Sequence, residues 1–140
     1  MTVESARREH LGAVAALERE FFGAPASEAQ LARAMERGDT VLLCALGENG
    51  TLLGCADFQF VLDEGYIGNV AVQSAHRRQG IGEALMRAMI AEARARSLAF
   101  LTLEVRESNA AARAYMKNAA LPSSVCGGII TKSPRKMPCL

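Results

Sequence analysis

Arg77-Arg78-Gln79-Gly80-Ile81-Gly82 stands where an apolar, strand-like run, Asn69-Val70-Ala71-Val72, gives way to a helical pattern beginning at Gly80. Two glycines at such a handover expose several backbone N–H groups at the positive end of a helix dipole, with no Cβ in the way of an approaching anion. A diphosphate fits such a turn. The stretch lacks the Gly-Lys-Ser/Thr of a P-loop, and Leu85 stands where a dinucleotide fingerprint needs its third glycine. On these residues alone it reads equally well as a helix start whose glycines serve tight packing.

Working outward, Ile81, Ala84, Leu85, Ala88, Met89 and Ala91 line one side of a helix running to about Arg96, with Glu83, Arg87, Glu92 and Arg94 largely opposite. Ala99 to Arg106 alternates Leu101, Leu103 and Val105 with Thr102, Glu104 and Arg106, the period of a strand. Ser108-Asn109 then caps an alanine-rich helix through Asn118. Upstream, Thr40 to Leu46, Thr51 to Leu62 and Tyr66 to Val72 read as strands joined by short polar turns, an antiparallel meander. Before them come a short strand near Thr2 to Ser5 and a helix from Arg8 to Phe22 with Leu11, Val14, Leu17 and Phe21 on one stripe. A second helix, N-capped by Ser27, carries Leu31 and Met35 and stops at Gly38. The sum is an α+β domain, a mixed and mainly antiparallel sheet flanked by helices.

The chain has 140 residues, half of them apolar, and a net charge of +1, the composition of one soluble globular domain. No apolar run approaches the roughly 18 to 20 residues of a membrane span, and early charges such as Glu4 and Arg7 break any signal-peptide core, so a cytoplasmic location is expected. Near-balanced charge without Trp argues against a nucleic-acid surface. Cys44, Cys55, Cys126 and Cys139 have no Cys-x-x-Cys spacing, so no metal centre is expected, and Cys44 and Cys55 read as reduced core residues. His10 and His76 have no serine or cysteine partner at a telling position and read as surface residues.

Arg77-x-x-Gly80-x-Gly82 following Asn69–Val72, and Leu103-Glu104-Val105-Arg106-x-Ser108-Asn109 followed by alanines and Tyr115, resemble the GNAT superfamily of N-acetyltransferases. The second segment resembles its ribosomal-protein-alanine branch. The resemblance runs from about residue 2 to 118 and is specific within residues 69–115. It implies acetyl-CoA as cofactor, with Arg77, Arg78, Gln79, Gly80, Ile81 and Gly82 on its diphosphate. Val70, Ala71 and Val72 then lie along the pantetheine arm, and Asn109 makes a further contact. The implied acceptor is a protein N-terminal α-amine, in this branch that of ribosomal protein S18. A small-molecule amine, a lysine, and a cofactor binder that does not turn over are the competing readings.

Attack on a thioester needs a neutral amine, and an α-amino group has a pKa of about 7.7 to 8.0, so a nearby base gains roughly two to four decades. Glu104 resembles the branch's base and Tyr115 its acid. Residues 104 to 115 are one step closer than that pair usually stands, and one step on a helix is a turn of about 100°. Pro25-Ala26-Ser27 resembles the branch's Pro-Trp-Ser, with alanine where the tryptophan would help wall the peptide groove.

A seam follows residue 118. Residues 1–118 carry twelve Arg and one Lys against fifteen acids, net −2, whereas residues 119–140 carry Lys132, Arg135 and Lys136 with no acid, net +3. The domain is therefore assigned to 1–118 and the last segment to an atypical tail that replaces the family's final two strands. That tail reads as the same ending translated out of frame. Starting each codon at the third base of the present one lets Ala119 to Leu121 encode Gly-Phe, and Ser124 onward Gly-Val-Arg-Arg-Asn-Tyr-Tyr-x-x-Pro-x-Glu-Asp-Ala-Leu. Losing the final strands opens a sheet edge, on which Ile129 to Thr131 or a second copy of the chain is expected to pair.

Overall fold

The computed structural model describes residues 1–21, 26–76, 79–104 and 127–130, and side chains throughout these except at 21, 100, 102–104 and 127–130. Along the chain run β1 (Thr2–Ser5), a short 3-10 turn (Arg8–His10), α1 (Leu11–Phe21), α2 (Glu28–Arg37), β2 (Thr40–Leu46), β3 (Leu52–Val61), β4 (Glu64–Val72), a second 3-10 turn (Ser74–His76), α3 (Ile81–Ala95), β5 (Phe100–Glu104) and β6 (Gly127–Ile130). The six strands lie in one sheet in chain order. β1 to β4 pair antiparallel, as the short turns require, and β5 joins β4 in parallel. The mixed, mainly antiparallel α+β architecture is the one expected.

β2 is buried along Val41–Leu46 on both faces because helices cover both. Val41, Leu43 and Ala45 point with Ala56 and Phe58 into a core under α3, where Ile81, Leu85, Met86 and Met89 lie. Leu42, Cys44 and Leu46 point with Cys55 and Ala71 at α1 and α2, whose Leu11, Val14, Leu17 and Leu31 fill that side. Phe58, Leu85 and Met89 are fully buried, each worth about 1.5 to 3 kcal/mol of apolar transfer.

Local chemistry sets the ends. Ser27 caps α2, its hydroxyl accepting the Gln30 backbone N–H at 3.2 Å while Gln30 accepts the Ser27 N–H at 2.8 Å. Gly38, at φ 77°, ends that helix in the left-handed conformation that glycine adopts without strain. Gly54 decides how close α3 sits: a Cβ there would stand 2.8 Å from the Ala71 carbonyl oxygen and 3.2 Å from Ile81 and Leu85.

β6 lies on the outer edge of β5 and runs parallel to it, Leu101 opposite Gly127. The tail strand thus takes the expected edge, beginning two residues before Ile129. Cys44 and Cys55 are buried free thiols, Cys44 pushed up to about 11 mainly by burial and Cys55 higher still for the same reason. His10 is partly exposed in the first 3-10 turn, where its Nδ1 accepts the Arg7 N–H at 3.0 Å.

Candidate active site

The sheet parts at one residue. β4 matches β3 from Val61–Glu64 to Phe58–Ile67 and from Asp57–Asn69 to Gly54–Val72, which leaves Gly68 as an extra residue in β4, a bulge. A Cβ there would collide with the Asp57 carboxylate where it now lies, so the carboxylate would have to move aside for any larger residue. On the other edge of β4, β5 keeps its parallel register only from Glu64–Phe100 to Ile67–Leu103. Beyond the bulge, among the described residues, β4 offers its backbone from Gly68 to Val72 with no β5 residue in register. Glu104 is the next β5 residue after the last matched pair, so its backbone stands where the strands separate. Val70 and Val72 pack toward α3, while Asn69 and Ala71 face α1 and α2.

At the end of β4 the chain turns into α3. Gly80 is its N-cap at φ 78°, ψ 13°; among the described residues no side chain closes the cap and nothing lies within 4 Å of where a Cβ would stand. The first-turn N–H groups of a helix have no partner inside it and sit at its positive end, so this 15-residue helix presents an open anion site. Glu83, the one acid of that turn, is engaged by Arg87 at 2.8 Å. Ile81 gives the turn only its backbone, its side chain being 2% exposed in the core.

On the α1/α2 face lies a cavity of about 630 Å³, walled by α2 through Gln30 and Arg33, by Ala26, and by Thr40 of β2, with Glu18, Asp57 and Asn69 also lining it. Glu18 is 0% exposed. Asn69 Nδ2 donates to Glu18 Oε1 at 3.5 Å, and Glu18 Oε2 has no partner among the described residues. Burial raises Glu18, against the lowering effect of the Ala26 backbone N–H and Asn69. Asp57 is pushed up to about 7, first by burial and then by the Glu18 charge, with two Asn69 hydrogen bonds opposing.

Of the residues singled out in the sequence, Val70, Ala71 and Val72 lie on the free length of β4, and Gln79, Gly80, Ile81 and Gly82 form the start of α3. Glu104 is placed by its backbone at the parting. Arg77, Arg78, Asn109 and Tyr115 lie outside the described residues, as does most of the tail. Glu18 and Asp57 escaped the sequence reading. The signal for Glu18 was a charge four residues after Val14, on the buried side of the first helix, and for Asp57 an acid in the middle of an otherwise apolar strand.

Among the described residues no group of three or more His, Cys, Asp or Glu could hold a metal ion, and no helix is long and apolar enough to cross a membrane. Residues 11–120 match the Acetyltransferase (GNAT) family. The [ribosomal protein bS18]-alanine N-acetyltransferase of Escherichia coli (strain K12) is 39% identical over 117 residues, 84% of this chain and 78% of that protein. The crystal structure of the ribosomal-protein-S18-alanine N-acetyltransferase from Escherichia coli is similar with a TM-score of 0.73 at 34% identity, covering 85% of this chain and 76% of that one. A Mycobacterium tuberculosis protein solved in complex with CoA and NLQ is similar with a TM-score of 0.62 at 27% identity, over 70% of this chain and 60% of that one.

Proposed function

The chain belongs to the GNAT acetyltransferase family and is an acetyl-CoA-dependent N-acetyltransferase; on that premise we propose that its acceptor is the N-terminal α-amine of a protein, as the name of its Escherichia coli relative states for the alanine of ribosomal protein bS18. The observation that carries this reading is the parting of β4 from β5 at Gly68, between the open N-terminus of α3 and the cavity under α1 and α2. A donor entering by the glycine cap meets an acceptor entering from the other face.

Acetyl-CoA supplies an acyl thioester. The amides from Gln79 to Gly82, with Arg77 and Arg78, hold its diphosphate, and Val70 to Val72 align the pantetheine as an added strand would be aligned, with Asn109 as a further contact. Glu104 takes the proton of the acceptor's ammonium, directly or through one water, so that the neutral amine attacks. Tyr115 returns a proton to the departing sulfur. Ala26 lines the cavity, and an alanine there leaves room for a peptide's first side chains. The reading places the enzyme in the cytoplasm, where nascent and ribosomal N-termini are found.

The test is thiol release from acetyl-CoA with peptides that begin with alanine, beside the same peptides with a blocked N-terminus, a lysine-only peptide and simple amines. Acetylation of the free α-amine alone is expected. Turnover of the blocked peptide at a lysine, or of small amines alone, would overturn the acceptor; cofactor binding without any turnover would make the protein a binder only.

A further inference from the structure

Three polar side chains meet in the cavity between α1, α2 and the sheet, and the chemistry above uses none of them. Glu18 comes from α1, Asp57 from β3 and Asn69 from β4. Glu18 is closed to solvent yet lines the cavity, with one oxygen on the Asn69 amide and Oε2 unpartnered among the described residues. A buried carboxylate with a free oxygen is costly to keep unless a donor arrives. Asp57 faces the same cavity within reach of the Glu18 charge, and the backbone makes room for it with Gly68, where any side chain would strike its carboxylate. The arginines of the wall do not neutralise the pair: Arg37 bonds Asp39 at 3.4 Å, and no ion pair joins Arg33 to either acid. Among the described residues the pair has no cation bonded to it.

We infer that Glu18, Asp57 and Asn69 form a cation subsite of the acceptor cleft, an acidic floor that takes a protonated amine or a guanidinium from the incoming acceptor. This rests on the acetyltransferase reading for the cavity's being the acceptor cleft. An ammonium has three N–H donors and a guanidinium five, so either satisfies Glu18 Oε2 and Asp57 together. The cation has two sources, the acceptor's own α-ammonium held before deprotonation or a Lys or Arg side chain further along the acceptor.

Proton traffic separates the sources. Burial raises both acids from their ordinary values, Asp57 to about 7, so entry of a cation expels a proton from Asp57 and binding tightens as pH rises through about 7. Among the described residues, the charged and titratable groups facing the pair are Arg33 and Arg37 of α2 and the Cys55 thiol of β3; the thiol, pushed up mainly by burial, stays neutral throughout this range. An α-ammonium loses its own proton at about 7.7 to 8.0, so its binding passes through a maximum, whereas a guanidinium's reaches a plateau.

The experiment is calorimetric titration of the full chain, loaded with CoA, from pH 6 to 9 in buffers of different ionisation enthalpy. Three peptides are used: one beginning Ala-Arg, its Nα-acetylated form, and its citrulline analogue. The free peptide is expected to bind with proton release near pH 7. Glu18→Gln and Asp57→Asn are each expected to weaken it about ten- to hundredfold, with CoA affinity and a single cooperative unfolding transition kept, and Asp57→Asn to reduce the proton release. Loss of affinity in the acetylated peptide assigns the α-ammonium, and loss in the citrulline peptide the side chain. Variants that bind as wild type does, equal binding of all three peptides, or no peptide binding overturns the subsite. Peptide binding that responds to both variants without any thiol release leaves the subsite standing and defeats the transferase reading; thiol release that ignores both variants does the reverse.

Discussion

Replacing Asp57 with asparagine removes a carboxyl that the fold holds at about 7 in place of 3.8. A carboxyl raised in the folded state binds its proton more tightly there than in the unfolded chain. Its support of the fold is therefore complete below about 3.8 and is lost as pH climbs through about 7. Asparagine has the same shape, still accepts from the Asn69 amide and does not titrate. Between pH 5 and pH 7 wild type loses about 1.4 kcal/mol per unit at this site, so the stability difference between variant and wild type should move by about 3 kcal/mol, in the variant's favour, from pH 5 to pH 8. Urea unfolding of both proteins at the two pH values reads this directly. Equal differences at both would show that Asp57 titrates normally, and would remove the physical basis for an acidic floor held partly protonated. A variant that gains stability at pH 8 while losing acceptor affinity is what a strained binding group produces.

Glu104→Gln should flatten the rise of turnover with pH while leaving acetyl-CoA affinity within about twofold; an unchanged pH–rate profile would take Glu104 out of the mechanism. Gly54→Ala should destabilise the fold by about 1 to 3 kcal/mol, because the new methyl would stand 2.8 Å from the Ala71 carbonyl oxygen of β4 and 3.2 Å from Ile81 and Leu85 of α3; thermal melting within a degree of wild type would show that these neighbours give way easily. Sequencing the native locus should reveal a base gained or lost near the codon of Asn118, and a single intact frame would make the tail a divergent ending.

The strands and helices were legible because each carries a period that one structure satisfies: Leu11, Val14 and Leu17 at helical spacing, Val41, Leu43 and Ala45 at strand spacing. The glycine-led start of α3 was legible for a local reason too, since backbone amides at a strand-to-helix turn need no distant partner. The match to the family ends at residue 120, beside the seam that charge and proline mark after residue 118. The acidic floor was hidden because Glu18 and Asn69 are 51 positions apart and meet only when α1 lies across the sheet. The bulge was equally hidden. Gly68 in a strand reads as a weak point, and only its register against Asp57 shows that it splits β4 from β5.

The claim on which the rest depends is that coenzyme A lies with its diphosphate on the start of α3 and its arm along the free edge of β4. Backbone amide NMR during titration with CoA tests it most directly. One-to-one binding is expected, with shifts concentrated at Gly80, Ile81, Gly82 and Glu83 and at Val70 to Val72. Absence of binding, or shifts confined to the cavity around Glu18 and Asp57 with the amides of α3 unmoved, would contradict it.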